Sequence, residues 1–171
     1  MVPGGRGEEQ DVLSSKLVEH LLRARLIANL ATVDPDGSAH VVAMWFLFED
    51  GRLLLPTNRR TRKAKNVARD PRVTVMIDDS RGGLDLRGVT LVGRAELLGR
   101  PEAIELNRRI HLKYLTERGR DLEPVDRYLS TDDVTICLTP LRVSSWDLRE
   151  TAAGRELLRT GEFHSLERID D

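Results

Sequence analysis

"LATVDPDGSAHVVAMWFLFEDGRLLLPTN", residues Leu30 to Asn58, decides how this chain folds. It holds apolar runs cut by two tight turns. The first run begins slightly upstream, as "LIANLATV" from Leu26 to Val33. Asp34-Pro35-Asp36-Gly37 then places Pro at the second turn position and Gly at the fourth, as a β-turn prefers. "SAHVVAMWFLFE" resumes as a second strand, and Asp50-Gly51 ends it. "RLLLPTN" is a third strand. Successive apolar runs joined by such short turns describe an antiparallel meander.

Upstream, Leu13, Leu17, Leu21 and Val18, Leu22 fall at helical spacing, which predicts an amphipathic helix from about Asp11 to Arg25. Downstream, "RRTRKAKNVARD" lacks any β-rich run and stops at Pro71. It predicts a short helix with Asn58 or Thr61 as N-cap, since Pro71 disfavours helical geometry at the residue before it. "RVTVMID" is a fourth strand and "DSRGG" a loop. "LDLRGVTLVGRAELL" is a long fifth strand in which Gly88 and Gly93 mark a bulge or a close backbone approach. A helix over "RPEAIELNRRIHLKYL" has Pro101 near its first turn. "TERGRDLEPVDRYLS" is irregular or helical, and "DDVTICLTPLRVSSWDL" is a sixth strand. The expected organisation is a flexible tail over 1–10, one domain over 11–148 and an extension over 149–171 with little to fix it to a core. The fold class is α+β, mainly β. Six short antiparallel strands favour a small closed or split barrel, because closure removes exposed edges.

With 27 basic and 28 acidic residues in 171, the net charge is −1. A chain whose main partner is duplex nucleic acid usually carries a basic excess, so any basic site here is local. Arginine outnumbers lysine 23 to 4, which fits codon usage in a GC-rich genome as well as any function. Cys137 is the single cysteine, so no internal disulfide exists. No apolar run approaches the ~20 residues of a membrane span, and the start has no apolar signal segment. The expected compartment is the cytoplasm, with no membrane partner.

Five of the seven residues from Arg59 to Lys65 are basic: Arg59, Arg60, Arg62, Lys63 and Lys65. A helix starting near Thr61 leaves free N–H groups in its first turn, and its dipole favours an anion there. Thr57, Asn58 and Thr61 add neutral donors; Arg62 and Lys63 add charge. That describes a phosphate cup. The competing reading is a solvated basic face balanced by Asp70, Asp78 and Asp79. A nucleic-acid groove is disfavoured, because no aromatics interleave with the cations.

Other chemistry is sparse. His20, His40, His111 and His164 are scattered, without metal-ligand spacing. His20 and His111 are expected to be exposed on helices; His40 reads as a strand-surface residue, with a ligand contact or a haem ligand as its alternative. Cys137 reads as a small core residue. "RGGLDLRG" does not open a helix after a strand, so it is no dinucleotide fingerprint. No residue is nominated as catalytic acid, base or metal ligand. If the chain is an enzyme, a cofactor carries the chemistry. Strand alternation sends Trp45 to the face opposite Met44 and Phe46, either into a packed core or onto a groove. Trp146 has the same ambiguity.

The ordered blocks from "LATVDPDG" to "VTVMIDD", then "LRGVTLVGRAELL", then "LTPLRVSSWD", resemble the split-barrel flavin- and deazaflavin-dependent oxidoreductases of the pyridoxamine 5'-phosphate oxidase-like superfamily. The resemblance covers roughly residues 15–148 and is closest to the actinobacterial branch that uses coenzyme F420. It implies a six-stranded split barrel, a homodimer, and a cofactor groove at the subunit interface. Thr61, Arg62 and Lys63 match the segment that binds the cofactor phosphate. Val42, Ala43, Met44, Trp45 and Phe46 match the strand beside the ring system, and Pro56, Thr57 and Asn58 the strand end beneath the ribityl chain. Arg59, Arg60 and Lys65 are surplus to one phosphate and are either contacts for an oligoglutamate tail or solvated. The implied activity is hydride transfer between F420 and an unsaturated small molecule. FMN is the alternative cofactor, and a non-catalytic cofactor- or haem-binding module the alternative role. No C-terminal substrate-phosphate segment of the vitamin B6 oxidases is found.

Overall fold

A computed structural model describes residues 13 and 15–167. The expected tail over 1–10 and the first residues of the opening helix lie outside that range. Helix α1 (Lys16–Arg23) leads into β1 (Ala28–Val33), β2 (Ala39–Met44), β3 (Leu47–Glu49) and β4 (Arg52–Thr57). Helix α2 (Arg62–Arg69), β5 (Arg72–Asp78) and β6 (Arg87–Leu98) follow. Helices α3 (Glu102–Tyr114), α4 (Glu117–Arg120) and α5 (Glu123–Leu129) precede β7 (Val134–Asp147), a 3₁₀ turn at Leu148–Glu150 and α6 (Ala152–Thr160). The fold is thus α+β and mainly β, and the 116–130 segment is helical.

Among the described residues the sheet has seven strands, in the order β2-β1-β5-β6-β7-β4-β3, and every neighbouring pair is antiparallel. The stretch "SAHVVAMWFLFE", expected as one strand, is two. Its halves lie at opposite edges of the sheet, with only Trp45 and Phe46 between them. Fully extended chain advances at most ~3.6 Å per residue, so three steps from Met44 to Leu47 cover roughly 11 Å. Both edges must therefore come within that reach, and the sheet curls into a nearly closed barrel. The split lies between β2 and β3.

Alternation fills the interior. Ala28 and Leu30 of β1, Val73, Val75 and Ile77 of β5, and Val89 and Leu91 of β6 are buried together with Phe46, Leu53, Leu55, Ile136 and Leu138. Val18, Leu21 and Leu22 of α1 close one end of this core. A second cluster, outside the barrel wall, joins Leu54 and Cys137 to Leu106 and Ile110 of α3. Cys137 is buried, as expected.

Both strand glycines have packing reasons. Gly88 pairs across the sheet with Trp146, and a Cβ there would meet the indole ring. Gly93 sits at the register shift in the β6–β7 ladder, where a Cβ would run into the Thr139 carbonyl. The C-terminal extension is better anchored than its sequence suggests. Phe163 packs on Gly83, and the Leu166 N–H donates to the Arg81 carbonyl at 2.9 Å.

The outer face of β2, β1, β5 and β6 carries small and apolar side chains. One cross-strand row runs Val41, Ala31, Thr74, Val92, and the next Ala43, Asn29, Met76, Thr90. Val41, Met76 and Leu141 stay exposed there at 59%, 39% and 57%. A shallow depression of about 470 Å³ on this face is lined by Ala31, Val33, Ala39, Val92 and Leu141 among others.

Candidate functional site

Helix α2 begins where β4 ends. Thr61 is its N-cap, and the Thr61 hydroxyl accepts the Ala64 N–H at 3.4 Å and contacts the Thr57 hydroxyl at 3.1 Å. The N–H groups of Arg62 and Lys63 take no acceptor among the described residues. The Thr61 hydroxyl itself donates to the Asn58 carbonyl at 2.8 Å, so the free donors are the backbone ones, and free amides at a helix start favour an anion. Beside them lies a cleft of about 440 Å³. Thr57, Asn58, Thr61, Lys63, Thr131 and Asp132 supply its polar side; Ile27, Ala43, Met44, Trp45, Tyr128 and Leu129 supply most of the rest, with Pro56.

Eight of the expected site residues line this cleft: Ala43, Met44, Trp45, Pro56, Thr57, Asn58, Thr61 and Lys63. Val42 packs against the barrel core, and Phe46 is fully buried within it. Arg62 turns away. Its Nε donates to Asp34 Oδ1 at 2.7 Å and its Nη2 to Asp34 Oδ2 at 2.5 Å. Asp34 is only 3% exposed and also accepts from Asn66 Nδ2 at 2.9 Å. The guanidinium and that amide hold the Asp34 carboxyl down to about 2. This bidentate pair fixes α2 to the end of β1.

The rest of the basic cluster is partly neutralised from within. Arg59 donates to Asp133 through its N–H at 2.8 Å and its Nε at 2.5 Å. The expected counter-charges are therefore replaced: Asp70 pairs with Arg72 and Asp79 with Arg87, while Asp34 and Asp133 serve the cluster. Lys63 is left facing the cleft, half-buried. Burial pushes its ammonium below the usual lysine value, and the charge of Asp132 pulls it back.

Alternation does separate Trp45 from Met44 and Phe46. The Trp45 ring lies parallel to Tyr114 at 5.0 Å and edge-on to His111 at 6.2 Å, packed against α3 yet open to the cleft. The Tyr114 hydroxyl donates to the Leu26 carbonyl at 2.7 Å and accepts the Phe46 N–H at 3.2 Å. It thereby pins the crossing between the sheet edges.

His111 corrects an expectation. It is 3% exposed, and its Nε2 lies 3.2 Å from Asp132 Oδ2. Spacing along α3 shows why: Ala103, Leu106, Asn107, Ile110 and His111 form one buried stripe, a 3–4 pattern that marks the inner face of a helix. Asn107 continues the polar part of that stripe. Its Nδ2 donates to the carbonyls of Asp132 and Val134 at 3.2 Å each, and its Oδ1 accepts the Thr135 hydroxyl at 2.6 Å.

A curled antiparallel sheet with a polar-ended cleft at its split is the architecture of the split barrels. The family model for pyridoxamine 5'-phosphate oxidase matches residues 14–147, and the chain belongs to that family. The conserved hypothetical protein Rv2991 from Mycobacterium tuberculosis is 31% identical, with a TM-score of 0.61 over 87% of this chain and 88% of that one. A protein described as an F420 reductase is 29% identical, with a TM-score of 0.55 over 74% of this chain and 94% of its own. An FAD-binding protein from Mesorhizobium loti, 23% identical with a TM-score of 0.56 over 83% and 94%, shares the fold. No curated protein matches the chain significantly. No described helix is long and apolar enough to cross a membrane.

Proposed function

We propose that the protein is an oxidoreductase that transfers hydride between coenzyme F420 and an unsaturated small molecule. FMN is the second candidate cofactor. The observation that carries this reading is the two-ended cleft. Free α2 amides and the Lys63 ammonium suit an anionic group, while the Thr61 hydroxyl donates to the Asn58 carbonyl and holds the helix start in place; Ala43, Met44 and Trp45 suit a flat ring. These residues fit a phosphate-bearing flavin or deazaflavin, and the likeness to an F420 reductase favours the latter. None of the described histidines lines the cleft, so its own lining offers no imidazole to a haem iron.

Bound there, the cofactor would supply the hydride chemistry itself. The chain's part is binding and aim. Lys63 and the α2 amides would hold the anionic end. Trp45, braced by Tyr114, would keep the ring plane fixed and water out of the floor, and orientation of this kind lowers the barrier to transfer. Arg62 would contribute its N–H rather than its guanidinium, which Asp34 holds.

A homodimer belongs to this reading. The exposed apolar rows on β2, β1 and β5 are of the kind that marks an interaction surface. Ala43 lies both on that face and in the cleft, so a second copy seated there would add a wall to the cleft. The test mixes reduced F420 with enone and imine acceptors and follows protein-dependent oxidation. Turnover supports the proposal. Turnover with reduced FMN alone moves it to the flavin branch, and none with either sinks the oxidoreductase reading.

A further inference from the structure

The cleft holds one group that an anion site should avoid. Asp132 lines it alongside Thr61 and Lys63, and a carboxylate beside a bound phosphate opposes it. Yet this carboxylate is firmly placed. The Thr131 carbonyl accepts Asn58 Nδ2 at 2.6 Å, the Asp132 carbonyl accepts Asn107 Nδ2 at 3.2 Å, and neighbouring Asp133 is bound by Arg59. His111 takes Oδ2, which leaves Oδ1 without a donor among the described residues. Asp132 also has a defined place along the cleft. His111 touches it on one side and the Trp45 ring on the other, while Lys63 lies within reach of its charge. It therefore stands at the junction between the cationic end and the aromatic floor.

An ionised carboxylate only accepts hydrogen bonds. A ligand that passes this junction needs a donor there, and the chain between a phosphate and a ring carries donors when it is a polyol. We propose that Asp132 Oδ1 accepts a hydrogen bond from a hydroxyl on the chain joining the ligand's anionic group to its ring, with His111 as the positioning residue behind it. This rests on the cofactor reading above. The pair makes the cleft selective for polyol phosphates over bare phosphates and over rings on alkyl chains.

The test is equilibrium binding followed by tryptophan fluorescence. The probes are FMN, the phosphorylated ribityl deazaflavin, and an analogue of each whose chain is an unhydroxylated alkyl phosphate. Asp132→Ala should weaken the hydroxylated probes about tenfold or more, the worth of a hydrogen bond to a charged group, and leave the alkyl phosphates unchanged or somewhat tighter, since the repulsion goes with the carboxylate. Asp132→Asn, which keeps one acceptor oxygen and the shape, should fall between. His111→Phe should show the same preference for losing the hydroxylated probe. A merely structural role for His111 would weaken both kinds of probe equally. Equal loss for both kinds in Asp132→Ala, or tighter binding of both through relief of repulsion, overturns the proposal alone. Failure of the unaltered protein to bind any probe overturns it together with the cofactor reading.

Discussion

Arg62 and Lys63 stand side by side at the start of α2, yet one turns to Asp34 and the other to the cleft. Their order in the sequence gives no sign of this, because the deciding partner lies 28 positions upstream of Arg62. That Thr57, Asn58 and Thr61 lie together was legible from a strand end meeting a helix cap; that the Asn58 amide donates to the Thr131 carbonyl and the Thr61 hydroxyl to the Asn58 carbonyl was not. The buried His111 was legible only in retrospect, through the stripe it shares with Leu106, Asn107 and Ile110. Lys63→Ala should weaken cofactor binding by roughly 1.5–3 kcal/mol, as for a charged hydrogen bond, with little change in melting temperature. Arg62→Ala should do the reverse, lowering the melting temperature while affinity changes less, because its loss strands buried Asp34 without its cation. Calorimetric titration and thermal melts of both variants decide this. The depressed Asp34 also has a pH signature. Its folded value of about 2 lies below the ordinary ~3.9, so its stabilisation is complete above about pH 4 and is lost as pH falls toward about 2. Acid melts of Asp34→Asn should lack that component.

Among the elements, α1 and α3 are clasped at their ends. Lys113 Nζ donates to the Leu22 carbonyl at 3.3 Å and lies 3.6 Å from the centre of the Phe46 ring, while Arg25 Nε donates to the Lys113 carbonyl at 3.0 Å. Burial lowers the Lys113 ammonium to about 8. The unfolded chain then holds more protons than the folded one between about pH 8 and 10.4, so this group makes stability rise with pH across that window. Burial raises Tyr114 to about 12, which opposes the rise above about pH 10. Denaturant midpoints from pH 7 to 10 should show an upward contribution that Lys113→Met removes. Gly88→Ala tests the sheet. Its Cβ would enter the Trp146 ring, so it should cost about 1–3 kcal/mol or more, as overpacking does, read by chemical denaturation. The glycine positions were legible because a glycine inside an alternating strand signals a close approach. The break at Trp45–Phe46 was not. Both residues suit a strand, and only the need to reach the other sheet edge divides the run.

For the molecule as a whole, the meander of tight turns was enough to imply an antiparallel barrel. The split barrel was expected from the sequence; the seventh strand was not, because it arises where one run must cross between the sheet edges, a property of the whole sheet that no local window contains. The exposed face of β2, β1 and β5 is the proposed seat of a second copy. Val41→Asp, centred on that face and 59% exposed in the single chain, should convert the proposed dimer into a monomer by sedimentation and weaken cofactor binding with it. An unchanged oligomeric state and unchanged affinity would mean that this face neither joins two copies nor shapes the cleft. In the proposed complex the α2 amides and Lys63 grip an anionic end while Trp45 floors the ring. A titration of the protein and its Lys63→Ala variant with oxidised F420 and with FMN, followed by tryptophan fluorescence, tests it most directly. Saturable quenching in the unaltered protein, lost in Trp45→Phe and shifted to at least tenfold higher cofactor concentration in Lys63→Ala, is the predicted result. Identical curves for the protein and Lys63→Ala, or no saturable change with either cofactor, would contradict it.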